Sequence, residues 1–245
     1  MIKYKKIFED DNYLVINKPA GLLVHGAPHI KEPTLVDQLL KKYPKIAKVG
    51  DDPNRPGIVH RLDKLASGLM VIAKTQQSFN DLKEQFQKRT ISKYYTALVY
   101  GKIERDEGEI NFPIERSAKG HRMAAKPSTV KGEKNEAGRN AFTEFTVTKR
   151  YINYTLIKVK IKTGRTHQVR VHMSAYGNPV VGDDLYGTKK TKEKNTRLRK
   201  KQEKLNLERI FLVANELEFA DLKGKKKNFK INLPENLEKL LEIVK

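Results

Sequence analysis

The sequence predicts an α+β fold, with a mixed, mainly antiparallel sheet and flanking helices. Residues 142–149 and 154–162 both alternate apolar with polar side chains, the pattern of two half-buried strands that pair antiparallel. Residues 34–43 and 78–88 instead place Leu35, Val36, Leu39 and Leu40, and then Phe79, Leu82 and Phe86, at helical spacing. No internal repeat and no linker interrupts the 245 residues, so one domain over 1–245 with a sizeable core is expected.

The other elements follow from local signals. Ile7-Phe8 and residues 13–17 read as strands around the acidic turn Glu9-Asp10-Asp11-Asn12, and Lys18-Pro19-Ala20-Gly21 ends the second. Residues 50–57, rich in Asp, Asn, Pro and Gly, read as a loop, and 69–73 as a short apolar strand. Ser78 opens the second helix. Residues 94–99 form an aromatic and β-branched strand ended by Gly101. The basic stretch 117–140 is a long hairpin or a loop. Residues 168–176 suggest a short helix, 189–204 is a charge run, and a last helix follows Pro234.

Lys and Arg number 50 against 29 acidic residues, a formal charge of +21. Such a surplus points to a polyanionic partner, nucleic acid before an anionic membrane surface. The chain has no cysteine, which excludes disulfides, thiolate metal sites and thiol nucleophiles. Residues 1–12 lack the apolar centre of a signal peptide, and no uncharged run is long enough to span a bilayer. A soluble, cytoplasmic protein without a membrane partner is expected.

Three segments carry chemistry. In His60-Arg61-Leu62-Asp63-Lys64-Leu65-Ala66-Ser67-Gly68-Leu69 an aspartate stands between a polar loop and an apolar strand, flanked by two cations. A carboxylate there is an available nucleophile; it is equally an ordinary turn aspartate. Thr163-Gly164-Arg165-Thr166-His167-Gln168-Val169-Arg170-Val171-His172-Met173 crowds two arginines, two histidines and a glutamine around a glycine turn. Guanidinium forks suit carboxylate or phosphate, whereas histidines five apart with no carboxylate at ligand spacing argue against a metal. In Lys93-Tyr94-Tyr95-Thr96-Ala97-Leu98-Val99 a strand tyrosine either packs in the core or stacks on a base.

Together these segments resemble the RluA family of pseudouridine synthases. Residues 17–25, Asn-Lys-Pro-Ala-Gly-Leu-Leu-Val-His, are similar to its opening motif, and His60 to Gly68 to its catalytic motif. The tyrosine strand with Gly101, the arginine segment 163–173, and Gly177-Asn178-Pro179-Val180-Val181-Gly182-Asp183 with Tyr186-Gly187 follow in family order. Leu65 and Ala66 replace the usual aspartate and threonine, and Leu212-Val213-Ala214 the usual Leu-His-Ala.

The resemblance implies the pseudouridine synthase catalytic fold and isomerisation of uridines in ribosomal or transfer RNA. It implies no cofactor and no metal, and RNA as the partner of a monomer with no obligate protein partner. Asp63 matches the nucleophile, Tyr95 the tyrosine that stacks on the target base, and Arg165 the arginine that pairs with the aspartate. Arg61 matches the residue that enters the RNA stack. His60, Lys18 and His25 are expected to contact RNA, and Val169 to form an apolar wall. The opening motif begins so early that no N-terminal S4 domain is expected. The basic stretches 117–140 and 189–204, including Lys200 and Lys201, are expected to contact phosphates, unless they are merely solvated faces. A non-catalytic RNA-binding protein would explain the charge but not the ordered motifs. A metal-dependent RNA hydrolase would need a carboxylate cluster that the sequence lacks.

Overall fold

The computed structural model describes residues 2–26, 32–117, 120, 122–125, 129–130, 133–134, 138–201 and 208–244. In chain order the elements are β1 (Lys5–Glu9), β2 (Tyr13–Lys18), α1 (Leu35–Lys42), β3 (Ser67–Ala73), α2 (Gln76–Lys88), β4 (Ser92–Tyr100), β5 (Glu107–Ile110), β6 (Ile114–Arg116) and β7 (Met123–Ala125). They continue with β8 (Thr129–Val130), β9 (Glu133–Lys134), β10 (Thr143–Arg150), β11 (Tyr154–Ile161), α3 (Gln168–Ala175), α4 (Lys189–Lys201), β12 (Leu212–Ala220), β13 (Lys226–Lys230) and α5 (Glu235–Ile243). The fold is α+β with mainly antiparallel pairing, as the sequence predicts.

The chain divides into two compact units, residues 1–93 with 214–232, and residues 94–213 with 233–245. In the first, β2 pairs antiparallel with β1 and with β3, and β12 pairs with β13. Every residue of β3 is buried. Its continuous apolar run fits a strand covered on both faces, where alternation is not required. Gly68 in β3 has φ +128°, and a Cβ there would stand 2.2 Å from the Ala214 carbonyl oxygen. Only glycine allows that approach.

Both helices of this unit begin with a capping box. Thr34 accepts from the Asp37 backbone N–H, and the Asp37 carboxylate accepts from the Thr34 backbone. Thr75 and Ser78 form the second box, so α2 starts at Gln76 rather than at Ser78. Ser78 sits inside the first turn, where its hydroxyl also donates to the Asn12 carbonyl at 2.8 Å. Satisfying the otherwise orphaned N–H groups is what makes these threonines start signals.

The second unit holds an antiparallel sheet in which β11 lies between β4 and β10, and β5 flanks β10. Its core joins Leu98, Tyr100, Phe211 and Val213 to Leu237 and Leu240 of α5. Val213, which stands where the family has histidine, is therefore an ordinary core residue. Within the expected basic hairpin the described residues form two short pairs, β6 with β7 and β8 with β9. The charge run is helical for most of its length. Asn195 docks α4, accepting from the Tyr100 hydroxyl at 2.6 Å and the Gly182 N–H at 2.9 Å. Leu198 packs against the same core.

Candidate active site

The loop that carries Asp63 is built in the first unit. Asp63 opens a tight turn in which the Ala66 N–H donates to the Asp63 carbonyl at 3.2 Å. The neighbouring Lys64 carbonyl accepts from the Gly21 N–H at 2.7 Å and from Lys18 Nζ at 3.3 Å. The opening motif thus clamps the backbone one residue beyond Asp63.

Lys18 is 0% exposed, and its ammonium also donates to the carbonyls of Pro19 and Leu22, both at 2.8 Å. Three carbonyls match the three donors of an ammonium. Lys18, expected at the RNA, is thus closed off from solvent in the free protein, with its ammonium engaged by the loop it ties down.

His60 lies three residues before Asp63. Its Nε2 accepts from the Val71 N–H at 3.1 Å, and its ring packs on Phe86 with centroids 4.9 Å apart. Its Nδ1 is closed off from solvent, and burial followed by the charge of Lys93 holds its pKa well below the usual histidine value. A neutral ring tied to β3 braces the loop from within. Lys93 itself lies over the Phe86 ring at 5.0 Å, and burial lowers its pKa to about 8. No sequence signal marks this buried cation, because lysine in a strand normally faces water.

Arg61 and His25 are brought together. Arg61 is exposed on the loop, and its Nη1 lies 3.2 Å from His25 Nε2. Burial, then Arg61 and Arg55, lower the His25 pKa, opposed by Asp52.

The arginine segment is built in the second unit. Tyr95 is buried on β4, on the strand face that also carries Lys93 and Ala97, and pairs in register with Val159 of β11. Arg165 lies in the turn between β11 and α3, where its Nε donates to the Asn140 carbonyl at 3.0 Å. Gln168 organises that turn. Its Oε1 accepts from Thr163 Oγ1 at 2.7 Å and the Arg165 N–H at 3.0 Å, and its Nε2 donates to the Phe142 carbonyl at 2.9 Å.

His167, just before α3, has φ +56°, a left-handed conformation uncommon for a residue with a side chain. The Tyr186 hydroxyl lies 2.7 Å from its Nδ1. Arg170 forms a bidentate pair with Asp183 at 2.7 and 3.0 Å, both side chains being under 10% exposed. Asp183 also accepts from the Leu185 and Tyr186 N–H groups. Val169 is buried in the first turn of α3. Gln168, Asp183 and Tyr186, which the sequence motifs contain without a role attached, are the residues that organise this region.

Lys200 and Lys201 end α4, and their side chains lie outside the described residues. Among the described residues no group of three or more His, Asp or Glu is placed to hold a metal ion, and no helix is long and apolar enough to cross a membrane.

Comparison with known proteins shows the family of the chain. An RNA pseudouridine synthase of Aquifex aeolicus is 46% identical over 185 residues, which cover 75% of this chain and 56% of the relative. Ribosomal large subunit pseudouridine synthase D of Pseudomonas aeruginosa is 44% identical over 76% of this chain and 54% of its own length. The enzyme of the same name from Xanthomonas campestris is 36% identical over 98% of this chain and 69% of its own. The chain thus spans a little over half the length of the first two relatives. Human RNA pseudouridylate synthase domain containing 4 shares the fold with a TM-score of 0.74, 25% identity, and coverage of 97% of this chain and 93% of that one. The family profile described as RNA pseudouridylate synthase matches residues 12–175, a span that holds Asp63, Tyr95 and Arg165, and the chain belongs to that family.

Proposed function

We propose that the protein isomerises specific uridines of ribosomal RNA, transfer RNA or both to pseudouridine, with Asp63 as nucleophile. The observation that carries this reading is the family match over residues 12–175, which contains Asp63 on a loop clamped by the opening motif. The reaction breaks the bond from uracil N1 to ribose C1′, turns the base, and rejoins it through C5. Bonds broken and formed balance within one nucleotide. Relatives named for the large ribosomal subunit favour ribosomal RNA as substrate.

A stacked base cannot reach a carboxylate held in a pocket, so the uridine is flipped out at a cost of a few kcal/mol. In this reading Arg61 enters the vacated stack, Tyr95 stacks on the uracil, and its hydroxyl assists loss of the C5 proton. Arg165 pairs with Asp63, since a nearby cation keeps a carboxylate ionised. Val169 supplies an apolar wall. The two units act as one catalytic domain, and α4 with the 117–140 stretch contacts phosphates. RNA is the one partner this chemistry requires, and we assign the protein as a cytoplasmic monomer.

The test is to map pseudouridines across total RNA from cells with and without the gene. Loss of one or a few discrete pseudouridines, restored by the wild-type chain, is expected. Identical maps would overturn the proposal.

A further inference from the structure

The contact between Arg61 and His25 has a direction. A guanidinium only donates. His25 Nε2 is therefore the acceptor at 3.2 Å, and the ring proton sits on Nδ1. That Nδ1 is buried and meets no hydrogen-bond partner among the described residues. The imidazole is thus fixed in one tautomer, with its free lone pair aimed at Arg61.

The surroundings keep it neutral. His25 and Arg61 line a cleft of about 1000 Å³, entirely within the first unit, together with Asp52, Arg55 and Glu32. The carboxylates there are engaged elsewhere. Asp52 pairs with Arg55 at 2.8 Å, Glu32 with Lys64 at 2.6 Å, and Asp37 caps α1 through the Thr34 N–H and hydroxyl. The charges nearest His25 are therefore dominated by Arg61 and Arg55, and burial works in the same direction.

We propose that His25 is the positioning residue for Arg61, its neutral imidazole holding the guanidinium in the pose that enters the RNA stack and releasing it when protonated. This rests on the proposed role of Arg61 and names what sets it. Arg61 lines the cleft, and its remaining guanidinium N–H groups are donors that the RNA backbone or a displaced base can meet. A proton on His25 Nε2 removes the acceptor and sets two cations against each other, so Arg61 swings away and flipping slows. The sign is fixed: activity is retained above the His25 pKa and lost as pH falls through it.

Single-turnover rates at saturating RNA, using the segment identified by the mapping experiment, test this from about pH 5 to 8, the range in which histidine titrates. The wild type is expected to slow roughly tenfold toward acid, the size of one charge-assisted hydrogen bond. His25→Gln keeps an acceptor that does not protonate, so its rate should stay near the wild-type neutral value and lose the acid limb. His25→Leu should be slow at every pH. An unchanged acid limb in His25→Gln, or full neutral activity in His25→Leu, would overturn the proposal. So would RNA affinity that tightens with acid and vanishes in His25→Gln, which would make His25 a phosphate ligand.

A second readout needs no turnover. Nitrogen-15 spectra of the free protein should show the Nδ1-protonated tautomer of His25, and Arg61→Leu should raise its pKa. No shift would show that the contact is not formed. If wild type shows no turnover at any pH while the spectra behave as expected, the proposed reaction fails and the pairing stands.

Discussion

The Asp63 loop and the arginine turn are held by different means. The loop of residues 58–66 is fixed mainly at its backbone, by the Gly21 N–H and Lys18 ammonium on the Lys64 carbonyl, with one side chain of its own, His60, accepting from the Val71 N–H. The turn of residues 163–173 is fixed through side chains: Gln168 across three partners, and Arg170 paired with Asp183. A loop clamped at its backbone tolerates exchange of outward side chains. Leu65, half-buried, and Ala66, buried, stand where the resemblance has an aspartate and a threonine, and neither side chain takes part in that clamp. A turn built on side-chain hydrogen bonds has no such freedom, since each missing partner strands a buried polar group.

The largest expected effect breaks the backbone-held side at its tightest point. Gly68→Ala would put a Cβ 2.2 Å from the Ala214 carbonyl oxygen at φ +128°. The cost should reach about 4 kcal/mol or more, the range kept for core clashes and backbone strain together. Thermal melting would show it as loss of the folded protein or a steep fall in Tm. A wild-type Tm would mean that β3 and β12 can part freely at this point.

Next comes the side-chain-held region. Arg170→Met leaves Asp183 charged and buried, which should cost about 3–5 kcal/mol in urea unfolding. Asp183→Asn should cost less, because the amide oxygen still accepts from the Leu185 and Tyr186 N–H groups. Equal losses in the two variants would contradict the view that the stranded charge matters most.

A pH effect separates the regions further. Lys93 has its pKa lowered to about 8 by burial, against roughly 10.4 in an unfolded chain. Below pH ~8 both states hold the proton and the burial cost is complete. Between ~8 and ~10.4 the folded state has released it and the unfolded state has not, so stability rises with pH by up to about 3 kcal/mol. Lys93→Met should lack this rise and exceed wild type in stability near neutrality. Parallel stability curves for the two proteins would rule out a buried Lys93.

The smallest effect concerns α4. Replacing Lys200 and Lys201 should lower the magnitude of the salt slope of RNA binding by roughly 0.7–0.9 for each phosphate left without its cation. An unchanged slope would make the end of α4 a solvated face.

Much of the fold was legible because burial writes itself into period. The strands β10 and β11 alternate, and α1 and α2 place leucines and phenylalanines three and four apart. The helix α4 was not legible as such: its sequence has one apolar residue, Leu198, and its anchor is the amide of Asn195. Strand β13 is lysine-rich with only Phe229 apolar, so no element was assigned there from sequence. At the candidate site the sequence marked Asp63, Tyr95 and Arg165 by resemblance. It did not show that Lys18 and His60 tie down the loop, because a polar residue in a motif looks the same whether it faces a ligand or holds a loop. Which of the two holds depends on three carbonyls and one N–H brought close only by folding.

The central claim is that Asp63 carries the chemistry. Asp63→Asn keeps the shape of the side chain and cannot act as the nucleophile. Its single-turnover rate on the mapped RNA should fall below about a hundredth of wild type, since losing a nucleophile costs several kcal/mol, while RNA affinity and the melting curve stay close to wild type. A rate above that level in protein shown to be free of wild type would contradict the assignment.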